Sequence, residues 1–174
     1  MKVITISGKA QAGKDTTAKL LKDQLNSEQR SVVVMHYADL LKYQAKTLFG
    51  WDGNKDEVGR TLLQHLGTDI VRKKNPNYWV DYLVGVLKMY DGEWDYVLIP
   101  DARFPNEIEC MKKNFDCISL HITSVPYGSM LTEEQMNHPS ETALDDYDFD
   151  YAILNDRTEE GLTKAVKDFL EEVR

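Results

Sequence analysis

Gly8-Lys9-Ala10-Gln11-Ala12-Gly13-Lys14-Asp15-Thr16-Thr17 is the stretch whose reading decides the fold. An alternating apolar run, Val3-Ile4-Thr5-Ile6, precedes it, and a helical pattern begins near Gly13. Glycines at positions 8 and 13 let the backbone curl so that successive N–H groups point inward at a helix N-terminus, a cradle for phosphate oxygens. Lys14 then sits where a β/γ-phosphate lies. The spacing fits G-x-x-x-x-G-K, but Asp15 stands where Ser or Thr usually serves Mg²⁺, and the hydroxyls are displaced to Thr16 and Thr17.

Outward from the loop, 174 residues suit one compact domain with a core and a cleft. The expected layout is a core of residues 1–50, 92–123 and 151–174, a helical insertion over about 51–91 and a lid-like segment over about 124–150. A net charge of −8 argues against a general nucleic-acid binder, and no apolar run reaches the roughly 18–20 residues of a membrane span. Cys110 and Cys117 are too few for a disulfide framework or a zinc site, so they read as reduced thiols in a cytoplasmic protein.

Ala18, Leu21 and Leu25 recur at helical spacing over about 13–26, and Ser31–His36 reads as a strand buried on both faces. The end of that strand delivers Asp39 to the cleft, where it accepts a hydrogen bond or steers a cation, or else caps the helix carrying Leu41, Ala45, Leu48 and Phe49. Val58, Leu62, Leu63, Leu66 and Ile70 mark one helix, and Trp79, Val80, Leu83, Leu87 and Tyr90 another, separated by Asn75-Pro76-Asn77. Arg60, Gln64, Gly67, Thr68 and Arg72 sit along the first of these, with Arg60, Gln64 and Gly67 about one turn apart and so on a shared face.

Asp95–Asp101 is a third strand ending in an acid, the Walker-B position that orients Mg²⁺ or its waters. Arg103, two residues on, offers a planar fork of donors to phosphates. Cys117–Ile122 and Tyr151–Leu154 read as the fourth and fifth strands, and a last helix follows Thr158. His121 alternates with apolar neighbours and reads as structural. Residues 124–150 look like an irregular cover in which Thr132-Glu133-Glu134-Gln135 has the form of a capping box. Asp145, Asp146, Asp148 and Asp150 lack calcium-loop spacing and read as a solvated turn.

Taken together, G-x-x-x-x-G-K-D-T, Ala38-Asp39-Leu40-Leu41-Lys42, Leu63-Gln64-His65-Leu66-Gly67-Thr68, Asp101-Ala102-Arg103-Phe104-Pro105-Asn106-Glu107, His138-Pro139-Ser140-Glu141 and Asp150–Asn155 resemble the phage-type deoxynucleoside monophosphate kinases. The resemblance covers nearly the whole chain, and D-x-R-F-P-N-E with G-K-D-T is its specific part. It implies an α/β P-loop kinase fold with a five-stranded parallel sheet of order 2-3-1-4-5, and phosphoryl transfer from ATP with Mg²⁺ to a deoxynucleoside 5′-monophosphate for DNA precursor synthesis. Gly8, Lys9, Ala10, Gln11, Ala12, Gly13, Lys14, Asp15, Thr16 and Thr17 would hold ATP, and Asn155 would lie near its base. Asp39, Lys42, Arg60, Gln64, Arg72, Trp79, Arg103 and Glu141 would face the acceptor. Lys14, Asp101 and Arg103 would be catalytic, with Asp15 and Asp101 near Mg²⁺ through water. Host cytoplasm and a homodimer are further expectations of the resemblance, with no nucleic-acid or membrane partner.

Between Arg103 and Arg157 there is no arginine, so the cover cannot bring the lid arginine of many nucleotide kinases. Arg103 must carry more of that task, helped by Lys112, Lys113 or His138. Two other readings stay open. G-K-D-T is shared with phosphomevalonate kinases, although Tyr78, Trp79 and Gln64 favour a flat base. A nucleotide-sensing ATPase without an acceptor would explain Lys14 but leave Arg60, Arg103 and the helical insertion without a task.

Overall fold

The phosphate-loop stretch is suspended from the middle of a sheet. In the computed structural model, which describes residues 1–126 and 131–173, β1 (Lys2–Ser7) pairs in parallel with β3 (Tyr96–Ala102) on one side and β4 (Asp116–Ser124) on the other. β2 (Val32–Val34) and β5 (Tyr151–Asn155) complete a parallel sheet of order β2-β3-β1-β4-β5. A central parallel strand is covered on both faces, and β1 obeys this: Val3, Ile4 and Ile6 have no exposed surface.

Alternation along β1 sends Ile4 and Ile6 to one face and Val3 to the other. On the first face α1 (Lys14–Ser27) and α8 (Glu159–Glu172) contribute Leu21, Leu25, Leu162, Val166 and Phe169. On the second face α4 (Tyr78–Met89) and α5 (Pro105–Asn114) contribute Val80, Leu83, Leu87, Ile108 and Met111. Each such side chain stabilises the fold by about 1.5–3 kcal/mol relative to exposure. α2 (Ala38–Phe49) packs on the insertion, where Ala45, Trp51 and Leu66 form a separate small cluster.

Three expectations are corrected. β2 is shorter than Ser31–His36 and only half-buried, because it is the sheet edge and pairs with β3 alone. The helix of the insertion is not uniform: α3 (Glu57–Gln64) runs into a π-helical segment, His65–Arg72. Its wider turn breaks the 3.6-residue phase, so Gly67 faces α2, where an added Cβ would come within 2.7 Å of Leu41 Cδ2. Val58, counted in the apolar stripe, is 78% exposed.

The segment read as an irregular cover contains two short helices, α6 (Glu133–Asn137) and α7 (Pro139–Thr142). The capping box is present: Thr132 Oγ1 accepts from Gln135 N at 3.2 Å, and Gln135 Oε1 accepts from Thr132 N at 3.3 Å. Residues 127–130 of that cover lie outside the described residues. Asp150 is not simply solvated, since it accepts Ser119 N and Oγ at 2.8 Å and pairs with Lys112. No helix among the described residues is long and apolar enough to cross a membrane.

Candidate active site

The loop is built from residues in left-handed backbone conformations. Gly8, Gln11 and Gly13 have φ of 144°, 63° and 101°, which turns successive amides to one side. Glycine is required twice on contact grounds as well: a Cβ at Gly8 would meet Ile122 O at 2.4 Å, and one at Gly13 would meet Asn155 Nδ2 at 2.4 Å. Asn155 is 7% exposed and donates to Ala12 O at 2.9 Å, so its amide braces the loop instead of standing open toward a base.

Lys14 Nζ donates to Gly8 O and Lys9 O, both at 2.8 Å. Burial pushes its pKa down to about 8, and the positive charge of Arg103 adds to the shift, while Glu141, Asp15 and Asp101 oppose it. The charges of those four side chains all act on Lys14. Thr17 is fully buried and returns its hydroxyl to Gly13 O at 3.0 Å, leaving Asp15 and Thr16 exposed at the helix start. His121 is structural, bonded to Ser7 Oγ at 3.0 Å and stacked on Phe149.

Asp101, at the end of β3, accepts Tyr37 N and Ala38 N, each at 3.0 Å. It therefore holds the N-terminus of α2, a task the sequence offered to Asp39. Burial raises the Asp101 carboxyl, against the pull of His36 and the two amides. Asp39 lies in the first turn of α2 instead, 3.1 Å from Lys42 Nζ and 3.3 Å from His36 Nδ1. Burial alone would raise its carboxyl, but Lys42 and His36 outweigh that and hold it below the usual range.

Arg103 turns toward the loop and not toward Asp101. Its Nη1 donates to Ser140 O at 3.3 Å and forms a short pair with Glu141 Oε1. Glu141 Oε2 in turn accepts Ala10 N at 3.2 Å. Lys9 Nζ donates to Glu141 O at 2.7 Å and pairs with Asp145. The cover is fastened to the insertion too: Gln135 Nε2 donates to Glu57 O and Thr61 Oγ1, and Gln64 reaches Ser140 Oγ at 3.5 Å.

The residue that spacing did not single out is Glu107, whose side chain is 2% exposed. Its Oε2 accepts Arg103 N at 2.6 Å and Phe104 N at 3.0 Å, and its Oε1 accepts Arg72 Nη2 at 2.6 Å. The signal was available: Phe104-Pro105-Asn106-Glu107 opens a helix with proline first and an acid at the third position, as a capping box does.

Several expected ligand groups are engaged within the protein. The Arg72 guanidinium lies 3.9 Å over the Phe104 ring and in the Glu107 pair, which makes it a brace between insertion and loop. Trp79 is 3% exposed and gives its indole N–H to Gly67 O at 3.1 Å, so it is a core residue here. Arg60 Nε is held by Lys55 O at 2.9 Å. Lys112 and Lys113 lie at the far end of α5, with Lys112 tied to Asp150, so of the three suggested helpers only His138 lies beside Arg103's contacts. Its Nδ1 accepts Ser140 N at 3.2 Å, which puts the proton of the neutral ring on Nε2, 3.9 Å from Asp69 Oδ1. Cys117 is an inert thiol, pushed up to about 12 by burial.

A parallel sheet of this order, with a G-x-x-x-x-G-K loop leaving its central strand, defines a P-loop kinase fold. The APS kinase CysC of Mycobacterium tuberculosis, solved with AMPPNP and APS, shares it: TM-score 0.54 at 15% identity, covering 98% of this chain and 97% of that one. The chain belongs to the deoxynucleotide monophosphate kinase family, whose sequence profile matches residues 35–166. It is thus a phosphotransferase of the kinase class with a nucleotide-binding loop. The deoxynucleotide monophosphate kinase of Enterobacteria phage T4 is 30% identical over 113 residues, 64% of this chain and 44% of that enzyme. The phosphomevalonate kinase of Drosophila melanogaster is 28% identical over 173 residues, 90% of this chain and 89% of that one.

Proposed function

We propose that this protein transfers the γ-phosphoryl group of ATP to a deoxynucleoside 5′-monophosphate, giving ADP and the deoxynucleoside diphosphate. The observation that carries this reading is the convergence of Lys14 and Arg103 on the phosphate loop, in a chain whose family is named for that reaction. An oxygen of the acceptor phosphate attacks the γ-phosphorus as its bond to the ADP oxygen breaks. Phosphoryl transfer leaves the protein little covalent work, so it needs in-line positioning and positive charge on the transferring group. The loop amides and Lys14 hold the donor phosphates, and Arg103 neutralises charge on the group in flight.

The residues near the loop fit a magnesium ion. Mg²⁺ keeps waters and takes only one or two protein carboxylates beside substrate phosphates; exposed Asp15 would hold it, with Asp101, whose two oxygens already accept Tyr37 N and Ala38 N, joining through water. A magnesium ion held there would supply positive charge against the negative donor phosphates. In this reading the acceptor faces Asp39 and Lys42 of α2 and Arg60 and Gln64 of α3.

A pH effect follows from Lys14. Phosphates beside it raise its pKa from about 8 toward the ordinary lysine value, so ATP binding at pH above about 8 draws in part of a proton and weakens as pH rises further. Calorimetry in buffers of different ionisation enthalpy measures that uptake, which should vanish in Lys14→Met. Equal uptake in the variant would assign the proton to another group.

The fruit-fly relative favours a second reading, since this chain spans far more of it than of the phage enzyme. Coupled ADP release with ATP and a panel of dAMP, dGMP, dCMP, dTMP, ribonucleotides and phosphomevalonate decides between them. Turnover with deoxynucleotides alone is the expected result. Turnover with phosphomevalonate alone, or hydrolysis without any acceptor, would displace the first reading.

A further inference from the structure

Glu141 is an acid in the one place around the loop where an anion is wanted. Its carboxylate spans the N–H of Ala10 and the guanidinium of Arg103, while its backbone carbonyl is held by Lys9. Ala10 N–H belongs to the curl of amides that makes the loop a phosphate cradle, and a carboxylate oxygen and a phosphate oxygen satisfy such a donor in the same way. The side chain is 8% exposed, so it is seated in the site and does not merely border it. Its charge also acts on Lys14, which it stabilises in the protonated form.

Space sharpens the point. The half-open space lined by Gly8, Lys9, Arg103, Ser140 and Glu141 measures about 20 Å³. That is room for about one water and not for a phosphoryl group. A roomier hollow of about 790 Å³ lies among Lys112, Asp116, Asp150 and Glu172, at the amino ends of the strands and away from all of these groups. Arg103 Nη1, moreover, spends its two N–H groups on Ser140 O and Glu141, so a phosphoryl group receives an N–H of Nη1 only when one of these acceptors yields it.

We propose that Glu141 is a positioning residue that acts through Arg103: its carboxylate takes the place of a phosphate oxygen on Ala10 N–H, holds Arg103 aimed at the loop, and yields both donors when nucleotide phosphates arrive. This rests on the reading of the loop as an ATP site. Binding of ATP and seating of Glu141 are then mutually exclusive, and α7, which carries Glu141, must shift as ATP enters. Lys9 and Arg103 fasten α7 on the loop side, whereas Gln135 and Gln64 tether the cover to α3, which leaves the insertion side as the fixed edge of that shift.

The test is Glu141→Gln, which keeps the size of the side chain and removes its charge. Calorimetric titration with AMPPNP should show the variant binding about fivefold or more tighter than the parent, within the usual range of coupling between sites. A residue of purely structural value would, when lost, weaken binding or leave it unchanged, so equal or weaker affinity overturns the proposal. Absence of AMPPNP binding in parent and variant alike would count instead against the ATP reading. Hydrogen exchange on the unmodified protein supplies an independent arm that needs no variant to fold. On AMPPNP addition, amides of residues 138–145 should exchange faster while those of 8–17 slow. Slowing in both segments would show Glu141 still seated and would overturn the displacement.

Discussion

Replacing Arg103 by alanine is expected to lower kcat by roughly 10³ or more, with a much smaller change in the KM for ATP. The magnitude is that of an arginine supplied to a phosphoryl-transfer transition state, and the reason to expect it here is scarcity. No arginine occurs between Arg103 and Arg157, so the cover has none to offer. Of the lysines suggested as substitutes, Lys112 is bound to Asp150 at the opposite end of α5. Lys9 is engaged with α7, and Lys14 is folded onto the carbonyls of its own loop. Among the described residues, Arg103 alone combines a guanidinium at the loop with a backbone fixed by a buried acid. Lysine at this position should recover little, because it lacks the planar fork. Steady-state rates with saturating ATP and acceptor check this; a loss below about tenfold would remove Arg103 from the chemistry.

Glu107→Ala should destabilise the fold by about 3–5 kcal/mol, the usual consequence of taking one partner from a buried ion pair. Arg72 would be left with a side chain only 12% exposed and no counter-ion. Three donors lose their acceptor at once: Arg103 N, Phe104 N and Arg72 Nη2. The last of these links the π-helical segment to the loop after β3, so the variant should also lose kcat through a misplaced Arg103. Denaturant unfolding with linear extrapolation measures the first effect. A loss under about 1 kcal/mol would mean that Glu107 is not the hub that its contacts describe. Glu107→Gln separates charge from shape, since it keeps one acceptor oxygen for the loop amides.

Much of this architecture could be read from residue order. The strand, phosphate loop and helix at the start of the chain are local: Val3, Ile4 and Ile6 must be buried, Gly8 and Gly13 must take positive φ, and Lys14 follows directly. Strand order came from the family resemblance, and the structure has it as 2-3-1-4-5. The capping box at Thr132–Gln135 was legible because both of its hydrogen bonds close within four residues. What residue order does not show depends on partners distant in sequence. Trp79 and Arg72, expected at the acceptor, are engaged inside the protein, by Gly67 O and by Glu107. The face shared by Arg60, Gln64 and Gly67 assumed 3.6 residues per turn, and the π-helical turn ends that phase at His65.

The sequence by itself therefore determined the strand, glycine turn and helix of the phosphate loop and the pair Asp101 and Arg103 at the end of the third strand, because each is written in contiguous residues with fixed backbone demands. Only the tertiary structure decided what those side chains touch. Asp101 caps α2 across a gap of more than sixty positions, and Glu141 reaches Ala10 across 131. The physical reason is that charge on a side chain is a local property, whereas the group that satisfies it is chosen by the packing of α7, α2 and the insertion around one end of the sheet.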